Sequence, residues 1–185
     1  MIIAFTGAGI SKASGIPTFA DQGDLRTKLD RIYSRQHPEE FNEIINNMYN
    51  TCKNANPNDA HKALAEYDIP VITMNVDNLH QRAGSKNVLA IHGNLPNVVL
   101  YGDPAPLYQS ALDWIFRMQP GDTLLIVGVS FYTNISEQIR ICAKAQGANI
   151  VLINRNAEEF VRGYLENHKD RMESFESFMN REMSF

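Results

Sequence analysis

Apolar residues fall along this chain in two rhythms. Short unbroken runs recur at Ile2–Phe5, Val71–Met74, Val88–Ile91, Val98–Tyr101, Leu124–Val127 and Ile150–Ile153, many closed by glycine or a polar residue. A strand with one wet face alternates apolar and polar residues, so an unbroken run predicts a strand buried on both faces. Between several of these runs the apolar residues shift to helical spacing. Phe41, Ile44, Ile45 and Met48 mark a helix over Glu39–Asn50, and Asp59–Tyr67 opens on an acidic cap. Leu107–Met118, Ile135–Ala145 and Ala157–His168 carry the same signal. Met172, Phe175, Phe178, Met179 and Met183 predict one more amphipathic helix over Lys169–Phe185, packed on the domain or, alternatively, forming a dimer contact.

Strands alternating with helices predict an α/β fold, a Rossmann-like doubly wound parallel sheet. In such sheets ligands bind beyond the carboxyl ends of the strands. Gly7, Asn75, His92, Gly128 and Asn154 all follow predicted strand ends. The length of 185 residues suits one domain over 1–185, with a helical module over 20–70 and C-terminal helices over 157–185.

Charge narrows the partners. The 17 basic and 21 acidic residues give a net charge of −4 with no block of Lys and Arg, which argues against nucleic acid and anionic membranes. No apolar run approaches the roughly 18–20 residues of a membrane span. Met1-Ile2-Ile3 lacks the basic start of a signal peptide, so the expected setting is cytoplasmic. Cys52 and Cys142 lie far apart and outside any C-x-x-C pair. Two reduced thiols in or near the core are expected, rather than a disulfide framework or a cysteine zinc site.

The densest candidate chemistry opens the chain. Gly7-Ala8-Gly9 follows the first apolar run directly and leads into small, hydroxylated residues. Lacking a Cβ, a glycine backbone can approach a pyrophosphate closely, and N–H groups at a strand-to-helix turn can face one. The dinucleotide pattern G-x-G-x-x-G wants a third glycine where this chain has Lys12, and an ordinary glycine turn explains the triplet about as well. Farther on, Asp77 or Asn78 could simply cap a short helix ending near Gly84. In the other reading, Asn75 and Asp77 leave a strand end and bond a ligand or hold an attacking water. His92 is a lone histidine that can titrate near neutral pH. His37, His61, His80 and His168 have weaker claims.

In their order along the chain, these strings resemble the sirtuins, the NAD-dependent protein deacylases. Gly7-Ala-Gly-Ile-Ser-Lys-Ala-Ser-Gly-Ile-Pro17 resembles the opening motif of that family. Thr73–Gly84 resembles T-Q-N-[IV]-D-x-L-H-x-x-A-G, with Met74 in place of Gln. Ile91-His-Gly93 resembles L-H-G, whose histidine is the general base. Val98–Asp103 resembles V-V-x-F-G-E, whose backbone pairs with an acyl-lysine peptide, with Tyr101 and Asp103 as mild substitutions. Ile126–Ser130 resembles the G-T-S strand end on the cofactor ribose, with Val129 for Thr, and Ile153-Asn154 resembles the I-N pair near the adenosine. Pro57–Ala65, with His61, looks like a structural helix motif of the same family.

The resemblance implies NAD as cofactor, held by Gly7, Ala8, Gly9, Ser11, Phe19, Asn75, Asp77, Gly128, Ser130 and Asn154. It implies His92, Asn75 and Asp77 as the catalytic residues. An acyl-lysine protein or peptide would lie along Val98, Val99, Leu100, Tyr101 and Gly102. The implied chemistry begins with nicotinamide departure and an oxocarbenium-like ribose. The acyl oxygen of a modified lysine then attacks the ribose carbon, and His92, acting through a ribose hydroxyl, drives acyl transfer.

Three departures qualify what the resemblance implies. Thr18 and Ala20 stand where the family has Asp and Arg, and losing an Arg beside phosphates or ribose is expected to cost about 1–3 kcal/mol of binding. Only Asn94–Asn97 separates Gly93 from Val98, which leaves no room for the family's four-cysteine zinc ribbon. No metal is therefore expected, and one wall of the peptide groove is reduced. The stretch from Phe19 to Thr73 is also short, so the small helical module is cut down. An NAD-dependent deacylase, an NAD glycohydrolase or ADP-ribosyltransferase, and a non-catalytic NAD or ADP-ribose sensor all stay open. The oligomeric state and the acyl group are not fixed by the sequence.

Overall fold

The computed structural model describes residues 1–183. Its strands are β1 (Ile2–Thr6), β2 (Val71–Thr73), β3 (Val88–Ala90), β4 (Gly93–Asn94), β5 (Asn97–Val98), β6 (Thr123–Val127) and β7 (Asn149–Ile153). Its α-helices are α1 (Leu25–Lys28), α2 (Arg31–Gln36), α3 (Pro38–Asn54), α4 (Asp59–Glu66), α5 (Leu79–Arg82), α6 (Tyr108–Phe116), α7 (Asn134–Ala145), α8 (Ala157–Glu166) and α9 (Phe175–Met179). Five strands form one parallel sheet in the order β3-β2-β1-β6-β7. The chain winds outward from β1 through β2 to β3, then returns to the other side of β1 for β6. The crevice between the carboxyl ends of β1 and β6 is therefore a topological switch point, where open α/β sheets bind ligands.

Successive residues of the central strands feed opposite faces, which is why their runs are unbroken. Ile3, Phe5, Ile72, Leu124 and Ile126 pack against Trp114 and Ile115 of α6 and Ile135 and Ile139 of α7. Ile2, Ala4, Val71, Leu125 and Val127 pack against Ala63 and Leu64 of α4 and Val161 and Leu165 of α8. A third, smaller core joins Leu25, Leu29, Ile45 and Cys52 to Leu95, with Phe19, Val76, Val98 and Leu100 at its edge. The layer formed by α1–α3 thus rests on the segments that follow β2 and β3.

Four expectations are corrected. Val98–Tyr101 is not a strand of the sheet. Val98 closes the two-residue antiparallel hairpin of β4 and β5, and Tyr101 bridges to Asp30. A parallel strand needs a crossover of roughly a dozen residues, and the short turn after His92 cannot supply one. Second, β7 is a sheet edge, with Asn149 and Leu152 exposed, because no strand covers its outer side. Third, Lys169–Phe185 is not one helix. A single 3-10 turn at Lys169–Arg171 is followed by α9, whose N-cap Ser174 accepts from Ser177 N at 3.1 Å. Met172 packs into one core layer while Phe175 and Met179 pack into the other, which one straight helix could not do. The expected end of that helix, at Ser184 and Phe185, lies outside the described residues. Last, the cap of α4 is Asn58, which accepts from Ala60 N at 3.0 Å, and not Asp59.

Candidate functional site

A cleft of about 640 Å³ lies between the sheet's carboxyl edge and the α1–α3 layer. That volume falls within the range of small-molecule and cofactor sites. Its walls bring together Gly7, Ala8, Gly9, Ser11, Phe19, Asn75, Asp77, His92, Val98, Val99, Leu100, Tyr101, Gly102, Gly128, Ser130 and Asn154. Residues from five separate strand ends and two loops thus meet in one place, although some face it only with their backbone.

The glycines bring two loops of the cleft into contact. Gly9 N–H donates to Gly128 O at 2.9 Å, and Gly7 N–H donates to Val127 O at 3.0 Å. A Cβ on Gly9 would stand 2.6 Å from Gly128 Cα, and one on Gly128 would stand 2.3 Å from Ile10 N. Gly128 also has φ +64°, a conformation that L side chains rarely adopt. The missing side chains thus let the loops after β1 and β6 touch each other. Ala8–Ser14 then forms a 3-10 helix closed by Gly15 at φ +84°. On the far side of Gly128, Val129 N–H donates to Asn154 Oδ1 at 3.1 Å, which ties in the loop after β7.

Ser11, Asn75 and Asp77 form one buried network. The Ser11 hydroxyl donates to Asp77 Oδ2 at 2.6 Å and accepts from Asn75 Nδ2 at 3.1 Å. Asn75 Nδ2 also donates to Gly7 O at 3.1 Å, and Leu79 N–H donates to Asp77 Oδ1 at 2.9 Å. Asp77 therefore anchors the start of α5 and serves the site wall together. Burial raises the Asp77 carboxyl above the usual range, against the pull of the Ser11 hydrogen bond. Ser11 is fully buried with its hydroxyl already used, so its side chain orients Asn75 and Asp77 from behind the wall.

Two further histidines sit behind that network. Thr6 donates to Thr73 Oγ1 at 2.8 Å, so it accepts from His80 Nε2 at 2.9 Å. His61 Nε2 lies 3.4 Å from Ser11 Oγ, and the two imidazole rings are 4.9 Å apart. Burial pushes His61 down to about 4 and His80 well below its ordinary value. Both are neutral structural groups at neutral pH.

His92 differs because it is half-buried and lines the cleft. Its Nδ1 lies 3.2 Å from Met74 O, and a carbonyl can only accept, so Nδ1 carries the proton. Nε2 is then the basic nitrogen, and Tyr108 Oη donates to it at 2.7 Å. Burial lowers the His92 pKa, with the Met74 carbonyl pulling the other way. Nothing in the sequence singled out Tyr108. It is the first residue of α6, and its only signal was a hydroxyl standing at a helix start.

The sequence pattern of the Sir2 family matches residues 7–98. The NAD-dependent protein deacylase of Thermococcus sibiricus is 31% identical over 222 residues, covering 88% of this chain and 86% of that protein. The chain belongs to the Sir2 family. The NAD-dependent protein deacetylase 1 of Pyrobaculum aerophilum is 32% identical over 218 residues, covering 89% of the chain and 85% of that protein. A Sir2 homologue solved with NAD shares the fold, with TM-score 0.82 at 23% identity over 90% of this chain and 88% of that one. A Sir2 solved with the inhibitor EX-527, 2'-O-acetyl-ADP-ribose and deacetylated p53 peptide gives TM-score 0.78 at 26% identity over 90% and 93% of the two chains. Among the described residues of this Sir2-family chain, no group of three or more His, Cys, Asp or Glu could hold a metal ion. Among them, too, no helix is long and apolar enough to cross a membrane.

Proposed function

We propose that this protein is an NAD-dependent protein-lysine deacylase. The observation that carries the reading is the convergence of His92, Asn75 and Asp77 on one cleft at the switch point, beside the interlocked glycine loops. The names of the Thermococcus and Pyrobaculum relatives support the same activity. The residues present suit a dinucleotide. The cleft is large enough, the sheet presents its switch point, and Asn75 Oδ1 has no protein hydrogen bond among the described residues to keep it from a ligand. NAD supplies the nicotinamide leaving group and the ribose carbon that takes the acyl oxygen.

The chain's own residues divide the remaining work. Asn75, held by Gly7 and Ser11, and Asp77, held by Ser11 and Leu79, form a rigid polar wall for the nicotinamide–ribose end or a water. Gly128, Ser130 and Asn154 would hold the adenosine side, and Phe19 would shield the reacting carbon. His92, kept neutral by burial and fixed in its Nδ1–H tautomer, is the proton acceptor. The segment Val98–Gly102 would take the acyl-lysine chain. We place this activity in the cytoplasm, in keeping with two free cysteines.

A second reading, NAD hydrolysis or ADP-ribosyl transfer to a small acceptor, is favoured by one observation. Tyr101 N–H already donates to Leu29 O at 3.0 Å, and Tyr101 O already accepts from Arg31 N–H at 2.9 Å. That leaves less of the segment's backbone to pair with a peptide. The proposal is tested with His92→Ala. The variant should bind NAD as the wild type does and lose about 10²–10⁴-fold in NAD-dependent deacetylation of an acetyl-lysine peptide. Full activity in the variant would overturn the assignment of His92.

A further inference from the structure

We infer that Arg26 is an oxyanion receptor of the cleft and takes the pyrophosphate of the dinucleotide. The inference rests on the reading of the cleft as an NAD site and adds a residue that the family strings did not point to. It begins from a deficit. A bound dinucleotide brings two phosphate charges, yet the Gly7 and Gly9 N–H groups are already bonded to Val127 O and Gly128 O. Position 20 is an alanine. Lys12, the cation of the opening loop, is paired with Asp21 at 3.2 Å.

Among the described residues, Arg26 is the one arginine or lysine in the cleft wall. Among the described residues it meets no carboxylate. The two acids of the wall are occupied elsewhere, Asp77 by Ser11 and Leu79 and Asp103 by Arg31 at 2.9 Å. The guanidinium is instead held by rings. Its Cζ lies 3.7 Å from the centroid of Tyr132, in the loop after β6, and 5.4 Å from that of Phe19. It also stands near Tyr101, whose phenol is pushed up by burial and pulled back by the Arg26 charge.

That arrangement suits an anion. Stacking occupies the faces of a guanidinium and leaves its N–H groups, which lie in the plane, free to form a two-pronged bond to phosphate or carboxylate. Because Tyr132 belongs to the sheet side and Arg26 to the α1–α3 layer, the pair also fixes the cation across the mouth of the cleft. The same chemistry could be offered by a carboxylate on the acyl group of a modified lysine, and the experiment separates the two sources.

The test titrates ADP-ribose and adenosine into the wild-type chain and into Arg26→Ala, Arg26→Lys and Tyr132→Leu by calorimetry, with thermal melts to confirm folding. Loss of a charge-assisted hydrogen bond predicts a roughly ten- to hundredfold rise in the Kd of ADP-ribose for Arg26→Ala. Adenosine binding should be unchanged, Arg26→Lys should recover part of the loss, and Tyr132→Leu should lose less than Arg26→Ala. Unchanged ADP-ribose binding in a folded Arg26→Ala overturns the inference. Unchanged ADP-ribose binding with a selective loss of turnover on a succinyl-lysine over an acetyl-lysine peptide would overturn the pyrophosphate and assign the carboxylate. Failure of the wild type to bind ADP-ribose or NAD would instead defeat the NAD reading itself.

Discussion

The hydroxyl of Tyr108, 2.7 Å from His92 Nε2, occupies the nitrogen that must accept the proton. A neutral imidazole accepts that bond, and an imidazolium keeps it in reverse by donating from Nε2 to the Tyr108 oxygen, so burial is what favours the neutral base. Activity that needs neutral His92 falls as the pH drops through that pKa. The reversed bond is charge-assisted and the stronger of the two, so Tyr108→Phe costs the imidazolium more, the pKa falls, and the acid limb of the kcat/KM profile moves to lower pH. A difference of about 0.5–1.5 kcal/mol between the two bonds predicts a shift of up to about one pH unit. An acid limb that stays in place, or moves to higher pH, would contradict this role. The family resemblance named His92, Asn75 and Asp77 as candidates, because the strings around them are distinctive. It could not give Tyr108 or the inward turn of Ser11, since both depend on which side chains the fold brings within reach.

At the level of elements, the loops after β1 and β6 are one unit. Gly128→Ala would set a Cβ 2.3 Å from Ile10 N at a φ of +64°, so the two loops must separate. The variant should be destabilised by several kcal/mol, combining strain of about 1–3 kcal/mol with the forced close contact. NAD binding should also be lost, as read by thermal melts with and without NAD. A melt and an NAD shift like the wild type's would show that the contact is not needed. The central strands were legible as unbroken apolar runs because both of their faces are covered. The run at Val98–Tyr101 was misleading for a topological reason, since a hydrophobic pattern does not record whether enough chain is available to cross back to a parallel sheet. The β7 run misled in a similar way, because its apolar residues lie at an edge that the rest of the fold leaves uncovered. The C-terminal stretch kept helical spacing across a break because its apolar residues serve two different layers.

At the scale of the whole molecule, the sheet half and the α1–α3 layer have been treated differently. The sheet half keeps every strand-end residue that the family strings pointed to, gathered on one cleft. On the other side, a two-residue-per-strand hairpin joins His92 to the Val98–Gly102 segment, and the Arg26–Tyr132 stack spans the gap. The sheet-side wall of the cleft was readable because it is built from short motifs at strand ends. The width of the substrate groove was not, because it is set by how the α1–α3 layer docks and by backbone bonds such as Tyr101 to Leu29 and Arg31. The central claim is that the cleft couples breakage of the nicotinamide–ribose bond to removal of an acyl group from lysine. Its most direct test is the ratio of nicotinamide released to lysine deacetylated, measured in one reaction with NAD and an acetyl-lysine peptide and in a parallel reaction without peptide. The account predicts one nicotinamide per deacetylated lysine and negligible release without peptide. Nicotinamide released at the same rate in both reactions, with the peptide left acetylated, would contradict it.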